Sequence, residues 1–183
     1  GSLLAQGVPP FQAAALGARD LILTPGNYGE EFLRQDPLGG APVVKVSNFI
    51  GDALDLAAAH PFRQVLLVGH IGKLVKLAGG VMNTHSRYAD CRAELFCAHA
   101  ACCGASRQVC LELLQAATAD RCLEILDGAG LREPVLRRLL EAIQLHLDRR
   151  VQGKYRVGAV LFSNTYGLLG QTGPGREIIQ SWK

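Results

Sequence analysis

Three short apolar runs in the first half of the chain each end in a loop and then change to helical spacing. Leu21 to Thr24 (LILT) precedes Pro25-Gly26-Asn27-Tyr28-Gly29 and a short helix beginning at Glu30. Pro42 to Val46 (PVVKV) precedes Ser47-Asn48-Phe49-Ile50-Gly51-Asp52 and a helix from Ala53 to Ala59, with Asp52 expected as its N-cap. Val65 to Val68 precedes Gly69-His70-Ile71-Gly72 and a helix from Ile71 to Ala78, stopped by Gly79-Gly80. On that helix Ile71, Leu74, Val75 and Ala78 share an apolar face, and Lys73 and Lys76 are expected to point away from it. Repeated strand-to-helix passages of this kind predict an α/β fold with a mostly parallel sheet and crossover helices in three layers. They also place the loops after Thr24, Val46 and Val68 on the carboxyl edge of that sheet, where open α/β folds bind ligands.

The rest of the chain predicts a helical middle segment and a C-terminal β-hairpin. Ala89 to Cys103 reads as a helix. Ser106 caps a helix with Val109, Cys110, Leu113 and Leu114 on one face, and Thr118 caps another with Cys122, Leu123 and Leu126 inward. Asp127-Gly128-Ala129-Gly130 reads as a turn. Pro134 then sits in the first turn of the longest helix, where its missing N–H costs nothing. Arg156 to Phe162 and Leu168 to Gln171 form the hairpin, and a last helix runs from about Gly175 to Trp182.

The 183 residues, 49% hydrophobic and 19% charged, suit one domain with a real core. That domain is expected over residues 3–183, with Gly1-Ser2 read as a cloning remnant. A net charge of +3 without a basic stripe interleaved with aromatics does not describe a nucleic-acid binder. It is compatible with a small anionic ligand. The apolar stretch around Val65 is broken by Lys73 and Lys76, short of the roughly 20 residues a membrane-spanning helix needs. Six cysteines without a CxxC pair read as small core residues of a reduced, cytoplasmic protein, and no metal site of the protein's own is expected.

The densest chemistry follows the third strand. His70, Lys73 and Lys76 lead into Met82-Asn83-Thr84-His85-Ser86-Arg87-Tyr88-Ala89-Asp90, then Arg92. Lysine and arginine at a sheet edge suit a polycarboxylate, and His70 could ligate a metal carried inside such a ligand. The plainer reading is a surface loop in which Asn83 to Ser86 cap the next helix. The loop at Gly26 is equally what turns use, Asp52 is a typical helix cap, and Ser47 and Asn48 suit local turn bonds. A Ser-His-Asp triad is not supported by adjacency alone. Arg137, Arg138, Arg149, Arg150, Lys154 and Arg156 read as a solvated basic face.

GHIGKLVKLAGGVMNTHSRYADCRAEL, preceded by LILTPGNYG and VSNFIGDALDLA and followed by RVGAVLFSNTYGLLGQT, resembles the C-terminal portion of the CbiD family. Cys91 stands where that resemblance leads one to expect glycine. The family's Thr/Gly- and Ala-rich N-terminal half is absent from this sequence. The resemblance implies a portion of a cobalt-precorrin-5B C1-methyltransferase of anaerobic cobalamin synthesis. The implied cofactor is S-adenosylmethionine, the implied substrate a cobalt-containing precorrin, and the implied partner the N-terminal part of the same enzyme. On the resemblance and loop position together, Gly26, Asn27, Gly29, Asn48 and Asp52 fall to the cofactor. His70, Lys73, Lys76, Asn83, Thr84, His85, Arg87, Asp90 and Arg92 fall to the substrate, and catalytic residues stay open. The alternative is a non-catalytic corrinoid-binding or assembly module.

Overall fold

Strand β3 (Gln64–His70) lies at the centre of the sheet and alternates strictly between its two faces. Val65 and Leu67 enter one apolar cluster, Leu66 and Val68 the other. β1 (Asp20–Thr24) does the same with Leu21 and Leu23 against Ile22, and β4 (Arg156–Ser163) with Val157, Ala159 and Leu161 against Val160 and Phe162. Successive side chains of a strand point to opposite faces, so strands apolar at every position must be covered twice. This is a computed structural model, and it describes residues 11, 12 and 14–183; Gly1-Ser2 lies outside them.

With β2 (Val43–Lys45) and β5 (Gly167–Gln171) the strand order is β2-β1-β3-β4-β5. β1 pairs parallel with β2 and β3, and β3 pairs parallel with β4. β5 returns antiparallel along β4, which completes the expected hairpin. Helix α1 (Tyr28–Gln35) and α8 (Gly173–Ser181) cover one face through Leu33, Ile178 and Ile179. α2 (Ile50–Ala58) covers the other with Ala53, Leu54 and Ala57. The result is the expected three-layer α/β arrangement.

Between β3 and β4 runs the helical segment. It contains α3 (Ile71–Leu74), a 3-10 turn (Val75–Gly79), α4 (Arg92–Cys102), α5 (Arg107–Gln115), α6 (Ala119–Gly128) and α7 (Arg132–Val151). Ser106 and Thr118 cap α5 and α6 as expected, accepting from Val109 N at 3.2 Å and Arg121 N at 3.1 Å.

Five local expectations need correction. Helix α2 begins at Ile50 and not after Asp52; Gly51 N is already held by Met82 O at 3.0 Å, so the helix starts earlier and exposed Asp52 lies in its first turn. The backbone after Leu74 tightens to 3-10, which turns Lys76 inward, where it is only 3% exposed. Leu114 is exposed, because α5 buries a single row through Leu113. Helix α6 runs on to Gly128, so the turn after it is shorter than expected. Of the six cysteines only Cys122 is buried, which pushes its thiol up to about 11; Cys102 is exposed and the others are half-buried.

Candidate active site

The chain leaves β1 toward β2 with α1 on one face, then returns across β1 to β3 with α2 on the other. Such a reversal separates the loops at the carboxyl ends of β1 and β3 and opens a crevice there. A cavity of about 650 Å³ occupies this edge. Tyr28 reaches it from the start of α1, Asn48 from the loop after β2, His70 from the end of β3 and Lys73 from α3. Asn164 comes from the end of β4, and Thr118 and Asp120 from the start of α6.

Hydrogen bonds tie these loops into one unit. Lys73 Nζ donates to Asn48 Oδ1 at 2.7 Å, and Thr84 Oγ1 donates to the same oxygen at 3.1 Å. Thr84 N donates to Asn48 O at 3.0 Å, and Phe49 and Asn83 form an isolated antiparallel bridge. Buried Lys76 donates to Thr84 O at 2.9 Å. Next to Asn48, Ser47 holds a left-handed backbone with φ 51°, a strained conformation for serine that the surrounding bonds impose. Gly26 is also left-handed, with φ 70°, and packs so tightly that a Cβ there would sit 2.8 Å from Lys73 Cε.

Electrostatically the cavity is cationic. Lys73, Lys76 and Arg92 line it against one carboxylate, Asp120. Burial pulls the Lys73 amine below its ordinary value, and Lys76 and Arg92 pull it further. Burial and then Arg92 lower Lys76, while Asp90 and Cys91 oppose them. Both lysines are thus held in a field that an anionic ligand would relieve. Arg92 keeps its charge through Asp90, at 2.9 Å. Burial lowers the pKa of His70, with Asp120 opposing and Lys73 and Arg92 assisting. Asp120 Oδ2 accepts from Thr165 Oγ1 at 3.0 Å, whereas its Oδ1 is buried without a partner.

Of the residues expected at the site, Asn48, His70, Lys73, Lys76, Thr84, His85 and Arg92 line this cavity. Asn83 and Arg87 join Asn48 and His85 around an adjoining pocket of about 210 Å³. Asp90 lines a third pocket with Arg92. Asn83 spends its side-chain oxygen on His85 N, a turn bond within the loop and not a cap on the next helix, whose N-cap is Cys91. Gly26, Asn27, Gly29 and Asp52 do not line the cavity. Gly29 is packed under Thr24 and Val68, Asn27 and Asp52 are exposed, and Gly26 acts through its contact with Lys73. Tyr28, Thr118, Asp120 and Asn164 were missed from sequence. An acid in a helix's first turn, such as Asp120, is ordinary enough to carry no signal.

A larger groove, about 820 Å³, lies between α7 and β5. It mixes Glu133, Glu141 and Asp148 with Arg137 and Arg176 and collects none of the strand-end loops, so the smaller cavity is the better candidate.

Residues 83–173 match the family described as CbiD, C-terminal domain. The chain belongs to the CbiD family. A CbiD relative from Ruminiclostridium cellulolyticum, named cobalt-precorrin-5B C(1)-methyltransferase, is 44% identical over 144 residues, 78% of this chain and 38% of its own length. Relatives of the same name from Alkaliphilus metalliredigens and Moorella thermoacetica are each 34% identical. Those matches cover 92% and 96% of this chain and 46% and 48% of the relatives. The chain thus spans less than half the length of these CbiD relatives. No solved structure matches it. The CbiD match takes in the polar segment from Asn83, the helices and the hairpin, and the relatives extend the likeness back across the first three strand-end loops.

Proposed function

We propose that this chain is the corrinoid-binding portion of an S-adenosylmethionine-dependent methyltransferase that methylates C1 of cobalt-precorrin-5B in anaerobic cobalamin synthesis. One observation carries the reading: Lys73, Lys76 and Arg92 converge on a cavity containing a single carboxylate. The substrate bears several acetate and propionate side chains, and charge-assisted hydrogen bonds from lysine and arginine are the contacts such groups select. The relatives' printed name supplies the reaction.

Lys73, Lys76 and Arg92 bind the peripheral carboxylates and fix the ring's orientation. His70 and Thr84 add hydrogen-bonding groups at the same edge. The cavity also fits the methyl donor in character: Tyr28 offers an aromatic face, Asn48 an amide, and Asp120 a carboxylate with an unpartnered oxygen suited to a cation or hydroxyl. These three residues would hold S-adenosylmethionine, which supplies an electrophilic methyl group when bound. Positioning two reactants in line contributes several kcal/mol to such a displacement, so no strong base is required of the chain. Tyr28, His85 and Arg87 are exposed and would be free to meet a further part of the longer enzyme.

The test is methyl transfer in the intact enzyme with Lys73→Ala. Turnover is expected to fall at least about tenfold, the loss of one charge-assisted contact, with the fold retained. Wild-type turnover overturns the site assignment. Corrinoid binding without S-adenosylmethionine binding favours the non-catalytic module.

A further inference from the structure

His70 sits at the N-cap of α3, and its Nδ1 accepts a hydrogen bond from Gly72 N at 2.9 Å. A ring nitrogen that accepts carries a lone pair, so the proton of the neutral imidazole must be on Nε2. The contact depends on glycine at position 72, where a Cβ would come within 3.1 Å of Nδ1. The ring is held on two further sides: Tyr28 lies 5.8 Å away at a tilt, and Phe162 meets it edge-on at 5.7 Å. Turning the tautomer over, or protonating the ring, would place two N–H groups face to face. Burial disfavours the charged ring as well.

His85 repeats the device. Its Nδ1 accepts from Arg87 N at 3.0 Å, again two residues on, while its backbone N–H donates to Asn83 Oδ1 at 3.1 Å. Both histidines line the same cavity as Lys73, Lys76 and Arg92. A metal-ligating histidine needs a lone pair on the nitrogen that faces the metal, and its other nitrogen is then the donor. Here the backbone has taken the lone pair on Nδ1, and the nitrogen left for the cavity is an N–H.

We infer that His70 serves as a neutral Nε2–H donor to a carboxylate oxygen of the ligand, that His85 likewise presents an Nε2–H, and that neither ring ligates the substrate's cobalt. The carboxylate half of this rests on the proposed function; the tautomer does not. It also replaces the sequence-based idea that His70 could reach a metal inside the ligand.

Long-range 15N–1H correlation spectra of the intact protein labelled with 15N-histidine, recorded above pH 6.5, are expected to show the Nε2–H tautomer at both positions. An Nδ1–H tautomer at His70 overturns the inference. A cobalt(II) corrinoid bearing free carboxylates, bound to protein labelled with 14N- or 15N-histidine, is expected to give the same electron paramagnetic resonance hyperfine pattern in both. An isotope-dependent splitting lost in His70→Gln overturns it. Because a glutamine amide places an N–H near the position of Nε2, His70→Gln is expected to bind within about threefold of wild type. His70→Leu is expected to weaken binding about tenfold or more, as loss of a hydrogen bond to a charged group does. Equal loss in both variants, each folded by circular dichroism, overturns the donor role. If the wild type does not bind the corrinoid, the functional reading and the carboxylate partner fall, while the tautomer is still decided by the spectrum.

Discussion

Lys73 Nζ donates to Asn48 Oδ1 at 2.7 Å, joining the turn after β3 to the loop after β2. The same oxygen also takes the Thr84 hydroxyl, so one amide orients a lysine and anchors the polar segment. Asn48→Ala should therefore cost about 1–3 kcal/mol of stability, the range for leaving a buried donor such as the Thr84 hydroxyl unpaired, read by chemical denaturation. Asn48→Asp keeps an acceptor and adds a negative charge beside Lys73. It should hold or raise stability in the ligand-free protein and weaken binding of a polycarboxylate, read by calorimetry. Equal losses in both variants would break the link between this bond and ligand orientation.

Gly26→Ala separates the cost of backbone strain from the cost of moving a cation. A non-glycine residue at φ 70° costs on the order of 1 kcal/mol. The new methyl would also meet Lys73 Cε at 2.8 Å and displace that side chain. Carboxylate-ligand affinity should fall further than stability does, a split visible when thermal denaturation and titration are compared.

The pH response of His70 has a definite sign. Burial lowers its pKa in the folded chain below 6.5. In the window between that lowered value and 6.5 the unfolded chain binds more protons than the folded one, so stability rises with pH. Its destabilising contribution is fully present below the folded pKa and gone above 6.5. Denaturation midpoints measured across this range for wild type and His70→Gln should show a shallower slope in the variant. A steeper slope would mean that His70 is charged in the fold.

Much of this was legible in the sequence. The LILT, PVVKV and VLLV runs, each followed by a loop with glycine, asparagine or histidine, fixed the parallel sheet and its functional edge, because continuous apolar strands must be buried on both faces. Asn48, His70 and Lys73 reached the cavity from the strand ends, and Thr84, His85 and Arg92 from the polar segment that the resemblance marked. The failures have local causes. Helical spacing placed Lys76 in solvent, but a 3-10 turn has three residues per turn and carries it inward. Capping chemistry chose Asp52, but a backbone bond from Gly51 to Met82, distant in sequence, starts the helix sooner. Asp120 and Asn164 enter the site through the packing of α6 and the end of β4, which no local pattern encodes.

A close backbone contact also holds α8 against the sheet. Gly158 of β4 lies against the start of α8 so closely that a Cβ would sit 2.3 Å from Gly175 N and 2.4 Å from its Cα. Both neighbours are backbone, so nothing flexible can yield. Gly158→Ala should cost about 3 kcal/mol, the upper end for overpacking, seen as a lowered denaturation midpoint. A change below about 0.5 kcal/mol, the level of ordinary surface substitutions, would mean that α8 is not held as described.

The central claim is that Lys73, Lys76 and Arg92 make this cavity a receptor for a carboxylate-bearing macrocycle. Its most direct test is calorimetric titration of the intact enzyme with a corrinoid carrying free acetate and propionate side chains, and with the same macrocycle amidated at every one of them. The acid form is expected to bind, the amide form to bind at least about tenfold more weakly, and that preference to be lost in Lys73→Met. Equal affinity for the two forms in the wild-type protein would contradict it.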